Sequence, residues 1–242
     1  MFFSAATFAQ QKKPVHIVFI GNSITQGVML DKAPPAYTID YLKSKDLPYE
    51  ITWSNQGVSG FTTVNFLPET NTVFPKVEAA AKEAPKGSLL IFSVKLGTND
   101  SAEEGPLGSP VSPEDYFKNM KTVSDKLLAD FPGCKIMYQR PLWYSPNTYN
   151  GARYLAAGLA RLQSYFPQIE RLVKMYAKSH PGQVITGDKD AFAYFKKNHL
   201  TDLKPEEGKQ GTFYLHPNDK GAKALGEFWG KAIEGKILNR KF

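Results

Sequence analysis

From Val15 onward, short apolar runs alternate with longer stretches of helical spacing. Val15-His16-Ile17-Val18-Phe19-Ile20 is almost continuously apolar and closes on Gly21. A strand buried on both faces needs a continuous run of this kind, whereas a half-exposed strand shows strict alternation. Glu50–Ser54 is a second strand candidate and runs into the turn-rich Asn55-Gln56-Gly57-Val58-Ser59-Gly60. Ser88–Leu96 is the third and stops at Gly97-Thr98-Asn99-Asp100; Lys135–Gln139 and Gln183–Thr186 are the fourth and fifth. Helical spacing fills the intervals: Pro35–Leu47, Phe74–Ala84 and Ala152–Ser179, the last with a break expected near Pro167. A further helix starts from Ser112 as N-cap, with Pro113 in its first turn and Asp115 at the capping-box position, and runs to about Asp130. The final helix begins after Pro217 and continues to about Gly235.

Strands alternating with helices imply parallel pairing, hence a three-layer α/β/α, doubly wound fold of about five strands. No repeat, low-complexity tract or linker interrupts the pattern, which predicts one domain over residues 14–242. Residues 1–13 read differently. Met1–Gln11 is apolar and rich in small residues, then turns polar at Gln10-Gln11-Lys12-Lys13. Thr7-Phe8-Ala9 has the small-x-small form of a secretory cleavage site after Ala9, without a basic stretch ahead of it. A signal peptide shortened by a late start codon fits this and places the mature protein in the periplasm or outside the cell; a frayed terminus is the alternative.

Composition narrows the field. No apolar run approaches the ~18 residues a membrane span needs, so integral membrane contact is excluded. The single cysteine, Cys134, rules out an intrachain disulfide and a cysteine-based zinc site, and it reads as a small buried side chain. Net charge is +7 with histidine neutral, and the pI is near 9.2. The basic residues are scattered, with no run longer than pairs such as Lys12-Lys13 and Lys196-Lys197, so the excess reads as a solvated surface and not as a nucleic-acid stripe.

Ligands of open α/β sheets bind outside the carboxyl ends of the strands, so the residues after each strand carry the candidate chemistry. They are Gly21-Asn22-Ser23, the Asn55–Gly60 turn, Gly97-Thr98-Asn99-Asp100 and, ahead of the last helix, Leu215-His216-Pro217-Asn218. A serine beside a base, with N–H donors nearby, is what acyl transfer requires. His216 would take the proton of Ser23. The N–H groups of Ser23 and Gly57, with the Asn99 amide, would hold the oxyanion, each such donor contributing ~3 kcal/mol. The bland readings are a helix cap for Ser23, a turn glycine for Gly57, an Asx turn for Asn99 and a helix-entry residue for His216. Asp100 reads as a structural residue hydrogen-bonding its own loop. His16 is placed inside a strand and His180 and His199 near helix ends; none shows metal-ligand spacing.

These blocks, in this order, resemble the SGNH hydrolase superfamily, also called the GDSL esterase/lipase family. Ser23 in GNSITQG matches its nucleophile block, Gly57 in NQGVSG its glycine block, Asn99 in GTND its asparagine block and His216 in LHPND its histidine block. The resemblance implies a flavodoxin-like sheet, a serine esterase mechanism, a small-molecule or glycan ester as substrate, and no cofactor or metal. Two positions depart from it. Asn22 stands where an Asp is usual. More seriously, Phe213 stands three residues before His216, where the family carries the acid of its triad. Asp202, Glu206 or Glu207 from the preceding loop is a possible replacement, and Asp219 a weaker one. The favoured expectation is a Ser23–His216 dyad whose imidazole is oriented by a backbone carbonyl.

In the loop after the fourth strand, Trp143 and Tyr144 are expected either to line an acyl or sugar pocket or to pack beneath the loop. The leading functional expectation is a carbohydrate O-acetylesterase acting on glycans. A lysophospholipase or thioesterase is the second, and a non-catalytic glycan-binding protein, motivated by Phe213, is the third. Nothing in the sequence sets the oligomeric state.

Overall fold

The computed structural model describes residues 12–239, so the signal-like segment Met1–Gln11 lies outside the described residues. Strand β1 (Lys13–Gly21) is flanked by β2 (Tyr49–Gly57) and β3 (Leu89–Lys95), and β4 (Lys135–Tyr138) and β5 (Val184–Thr186) extend the sheet beyond β3. The order is β2-β1-β3-β4-β5 and every pairing is parallel. This is the flavodoxin-like winding, in which the chain goes first to one edge and then, from β1, back across to the other. The reversal falls between β1 and β3, where the carboxyl ends of the strands open a crevice.

The continuous apolar runs have a simple cause: side chains alternate between two covered faces. Val15, Ile17 and Phe19 of β1 join a core with Ile39, Leu42, Leu225 and Trp229, contributed by helices α2 (Pro34–Lys43) and α7 (Asp219–Ile233). Val18 and Ile20 face the other way, onto Phe74, Val77, Met120, Leu127, Leu162 and Ile169 of α3 (Phe74–Lys82), α4 (Pro113–Asp130) and α5 (Leu155–Ser179). Fully burying side chains of this size contributes about 1.5–3 kcal/mol each. Helix α4 starts as expected: Ser112 Oγ accepts from Asp115 N at 3.1 Å. Helix α5 runs through Pro167 with no break. The hydrogen bond lost there is outweighed by the buried stripe Leu162, Tyr165, Ile169, Leu172 and Tyr176.

The segment between β5 and α7 contains elements that the hydrophobic pattern does not mark. Helix α6 (Ala191–Asp202) is kinked at Asn198, and it leads into an antiparallel hairpin of β6 (Leu203–Gly208) and β7 (Gly211–Pro217) outside the main sheet. Its tip, Glu206–Thr212, is polar and largely exposed, which hides a strand from any periodicity reading. Among the described residues no helix is long and apolar enough to cross a membrane.

Lys95, the last residue of β3, is 1% exposed, and its Nζ has no hydrogen-bond partner among the described residues. Burial pulls the ammonium down to about 7. Between that value and the ordinary lysine pKa, the unfolded chain binds a proton that the folded chain does not, so folding stability rises with pH. Lys95→Met, similar in volume and free of charge, is expected to melt above the parent at pH 7. The gap should narrow as pH rises toward ~10, where the unfolded lysine also loses its proton. Thermal unfolding of both proteins across this range checks it; a variant that melts lower at pH 7 would show that Nζ is stabilised in the folded state.

Candidate active site

The turn after β1 is built to present Ser23. Asn22 caps a single helical turn, α1 (Ser23–Gln26), its Oδ1 accepting from Ile24 N at 3.2 Å. Asparagine therefore serves here as the cap, and the departure at this position is absorbed. Ser23 occupies the first helical position, where a backbone N–H has no acceptor within the helix.

His216 reaches Ser23 from β7. Ser23 Oγ lies 2.9 Å from His216 Nε2 although the residues are 193 apart in sequence. On the far side of the ring, Nδ1 faces Glu206 Oε1 at 2.9 Å and Oε2 at 3.1 Å, and Glu206 Oε1 also accepts the His216 backbone N–H at 3.2 Å. A carboxylate can only accept, so Nδ1 carries the proton and Nε2 is left as the acceptor for the serine hydroxyl. The side chains of His216 and Glu206 are 13% and 18% exposed, which shelters the pair without sealing it.

This geometry corrects the expectation of a dyad oriented by a backbone carbonyl. The hairpin register explains how the acid is supplied: Glu206 stands directly opposite Phe213 in the ladder. Opposed residues have Cβ atoms about 4.5–5.5 Å apart, so a longer acid on β6 serves the locus that an Asp at 213 would serve. Phe213 is instead 1% exposed and belongs to the core. Between the Leu203–Pro217 and Pro205–Tyr214 pairs the register shifts, leaving β7 with the extra residue in the stretch that holds His216. Irregularities of this kind re-aim a side chain. The other candidates are engaged elsewhere. Asp202 accepts from Lys220 Nζ at 2.7 Å, Thr201 Oγ1 at 2.6 Å and Tyr194 OH at 2.7 Å. Glu207 accepts from Thr212 Oγ1 at 2.9 Å, and Asp219 sits in the first turn of α7.

A second correction concerns the glycine. The Gly57 N–H is donated to Asn55 Oδ1 at 2.9 Å, and the residue pairs with Gly21 inside the sheet. It must be glycine because a Cβ there would lie 2.3 Å from Gln26 N. Gly60, three residues on, lines the cleft instead. Its φ is +77°, and its N–H has no acceptor among the described residues. Reading β2 through to Gly57 would have found it, because the turn glycine of NQGVSG is then the second one. Asn99 is in the expected place: its Nδ2 donates to Phe61 O at 2.8 Å, and its Oδ1 accepts from Tyr154 OH at 2.8 Å.

The cleft holds about 180 Å³ and is lined by Ser23, Asn99 and His216 together with Ser59, Gly60, Pro106, Asn150, Ala152, Tyr154 and Leu215. A larger hollow of about 540 Å³, between α2 and α7, contains no serine–histidine pair. Trp143 and Tyr144 do not line the cleft. Trp143 is 6% exposed and packs on His199, with ring centroids 4.9 Å apart; Tyr144 is fully buried, its OH 2.9 Å from Ser101 Oγ. Their loop is drawn under the hairpin by Ser145 N donating to Tyr214 O, and only its later residues Asn150, Ala152 and Tyr154 reach the cleft.

The remaining polar groups are structural. Asp100 Oδ1 accepts from Thr63 N at 2.8 Å and Thr63 Oγ1 at 2.5 Å, and burial pushes its carboxyl up to about 6. His16 Nδ1 pairs with Thr52 Oγ1 at 2.8 Å. Cys134 is buried, and that burial pushes its thiol up to about 12. Among the described residues, no group of three or more His, Cys, Asp or Glu side chains converges to hold a metal ion.

The model of the GDSL-like lipase/acylhydrolase family matches residues 19–224. No curated protein matches the sequence. Among solved structures, a variant of Axe2, described as an acetyl-xylooligosaccharide esterase from Geobacillus Stearmophilus, aligns over 97% of this chain and 98% of its own, at 16% identity and a TM-score of 0.60. A putative GDSL-like lipase from Parabacteroides merdae aligns over 94% and 98%, at 15% identity and a TM-score of 0.62. TesA aligns over 92% and 99%, at 16% identity and a TM-score of 0.59. At these identities the likeness is one of fold.

The position of Glu206 carries a direct expectation. Glu206→Gln keeps the size of the side chain but removes the charge that stabilises an imidazolium, and it should lower kcat for ester hydrolysis by about 10³- to 10⁴-fold. Glu207→Gln and Asp219→Asn should stay within about tenfold of the parent, since neither touches the imidazole. A Glu206→Gln enzyme with near-parental kcat would return the orienting role to the backbone.

Proposed function

The chain belongs to the GDSL-like lipase/acylhydrolase family and is a serine ester hydrolase, and from that premise we propose that it removes short acyl groups, acetate above all, from hydroxyls of carbohydrates. Ser23 Oγ attacks the ester carbonyl while His216 Nε2 takes its proton. The oxyanion settles against the N–H groups of Ser23 and Gly60 and the Asn99 amide. His216 then protonates the departing alcohol oxygen, leaving an acyl-serine. Water, deprotonated by His216 in turn, releases the carboxylic acid and restores the hydroxyl. Glu206 accepts the Nδ1–H throughout and holds the imidazole in place.

The observation that carries the acyl preference is the size of the cleft. Sites that enclose drug-sized molecules measure about 300–1,000 Å³. The space beside Ser23 is about 180 Å³, with only Pro106, Ala152 and Leu215 as aliphatic lining apart from the Tyr154 ring. That suits an acetyl group better than a long acyl chain. The polar side chains Ser59 and Asn150 at the same cleft suit a hydroxylated leaving group, and the fold likeness to an acetyl-xylooligosaccharide esterase points the same way.

With 4-nitrophenyl esters, kcat/KM is expected to fall from acetate to butyrate and to be lowest for octanoate, and acetylated oligosaccharides should release acetate. Ser23→Ala should abolish both activities while the fold is retained. Preference for octanoate would move the reading to a lipid acylhydrolase, and full turnover by Ser23→Ala would remove the nucleophile.

A further inference from the structure

Asn99 can serve the oxyanion only if its amide is turned the right way. An asparagine side chain presents two donors at one end and lone pairs at the other. Turned about, it would aim its oxygen at the developing negative charge. Two neighbours set the orientation here. Phe61 O, which can only accept, takes one of the Nδ2 hydrogens at 2.8 Å. Tyr154 OH donates to Oδ1 at 2.8 Å. The second Nδ2 hydrogen has no acceptor among the described residues and belongs to a side chain that lines the cleft beside Ser23.

Tyr154 is itself held by contacts that do not involve Asn99. Its N–H donates to Thr148 O at 3.2 Å, and its carbonyl accepts from Gly158 N at 2.8 Å in the first turn of α5. Its ring meets Tyr144 edge-on, with centroids 5.4 Å apart and planes at 65°. The next residue, Leu155, enters the helix with φ +53°, a conformation uncommon for a non-glycine side chain, and its N–H also donates to Thr148 O at 3.2 Å. Tyr154 is 3% exposed, and burial holds its phenol far above the ordinary range, so it acts as a neutral donor.

We propose that Tyr154 is a positioning residue for ester hydrolysis: by donating to Asn99 Oδ1 it fixes the amide and aims Nδ2–H at the oxyanion. The proposal rests on the role given to Asn99 above. The hydrogen bond also polarises the amide, since a carbonyl oxygen that accepts a hydrogen bond strengthens the N–H across the same group. The Tyr154 hydroxyl thus acts only through Asn99, and its effect should vanish when the amide is absent.

A double-mutant cycle with 4-nitrophenyl acetate tests this. Tyr154→Phe keeps the ring and removes only the hydroxyl; it should lower kcat roughly tenfold and leave KM within about twofold, the scale of one lost neutral hydrogen bond expressed in the transition state. Asn99→Ala should lower kcat by roughly 10²–10³. In the Asn99→Ala background, Tyr154→Phe should change kcat by less than about twofold, because the two residues act as one unit. Equal losses in both backgrounds would overturn the proposal, since Tyr154 would then be acting on the fold or on the Glu206–His216 pair. Parental kcat in Tyr154→Phe would overturn it too. An Asn99→Ala enzyme of parental kcat marks a different failure, that of the oxyanion role itself, and takes this inference with it.

Discussion

One imidazole fixed at both nitrogens is the constraint on which the site depends. His216 stands 2.9 Å from Ser23 Oγ on one side and 2.9 Å from a Glu206 oxygen on the other. The serine is set by the sheet, because it follows β1 at the point where the winding reverses, and Asn99 follows β3 across the same crevice. The histidine and its acid come from elsewhere, from a two-stranded hairpin that is not part of that sheet. The chemistry therefore requires the hairpin to dock correctly. Ser145 contributes on both counts, donating from its backbone to Tyr214 O and accepting the Tyr214 N–H at 2.8 Å on its Oγ. The core side chains Phe213 and Leu215 anchor β7 as well.

That division explains what could be read from the sequence. The central strands are apolar because helices cover both faces of the sheet, so β1 and β3 are legible as runs, and the polar residues that end them stand out as a site. Ser23, Asn99 and His216 follow from this logic. Glu206 does not, because an antiparallel ladder brings residues together by register, and the polar tip of the hairpin carries no hydrophobic signal from which register could be inferred. Gly60 is hidden for a smaller reason: where β2 ends decides which glycine of NQGVSG lies in the strand and which in the turn. The sequence leaves two places open for Trp143 and Tyr144 because an aromatic residue after a strand suits a pocket wall and a core equally well. The hairpin packed above them makes them core.

The polar groups around the cleft follow a common rule. Asp100 Oδ1 accepts from Thr63 and Asn65 Oδ1 from Thr62, and these two buried contacts hold the segment after Phe61, whose carbonyl binds Asn99. Buried hydrogen bonds are strengthened by their low-dielectric surroundings, so contacts of this kind restrain the segment. Rigidity is what an oxyanion site requires, since its donors must be in place before charge develops.

The most direct measurement is a crystal structure of the enzyme after reaction with a small alkyl fluorophosphonate. Phosphorus is expected on Ser23 Oγ, with the phosphoryl oxygen about 2.7–3.1 Å from the N–H groups of Ser23 and Gly60 and from Asn99 Nδ2, and with His216 still seated on Glu206. An adduct on another serine, or a phosphoryl oxygen turned away from Gly60 and Asn99, would contradict the assignment of this cleft as the catalytic centre.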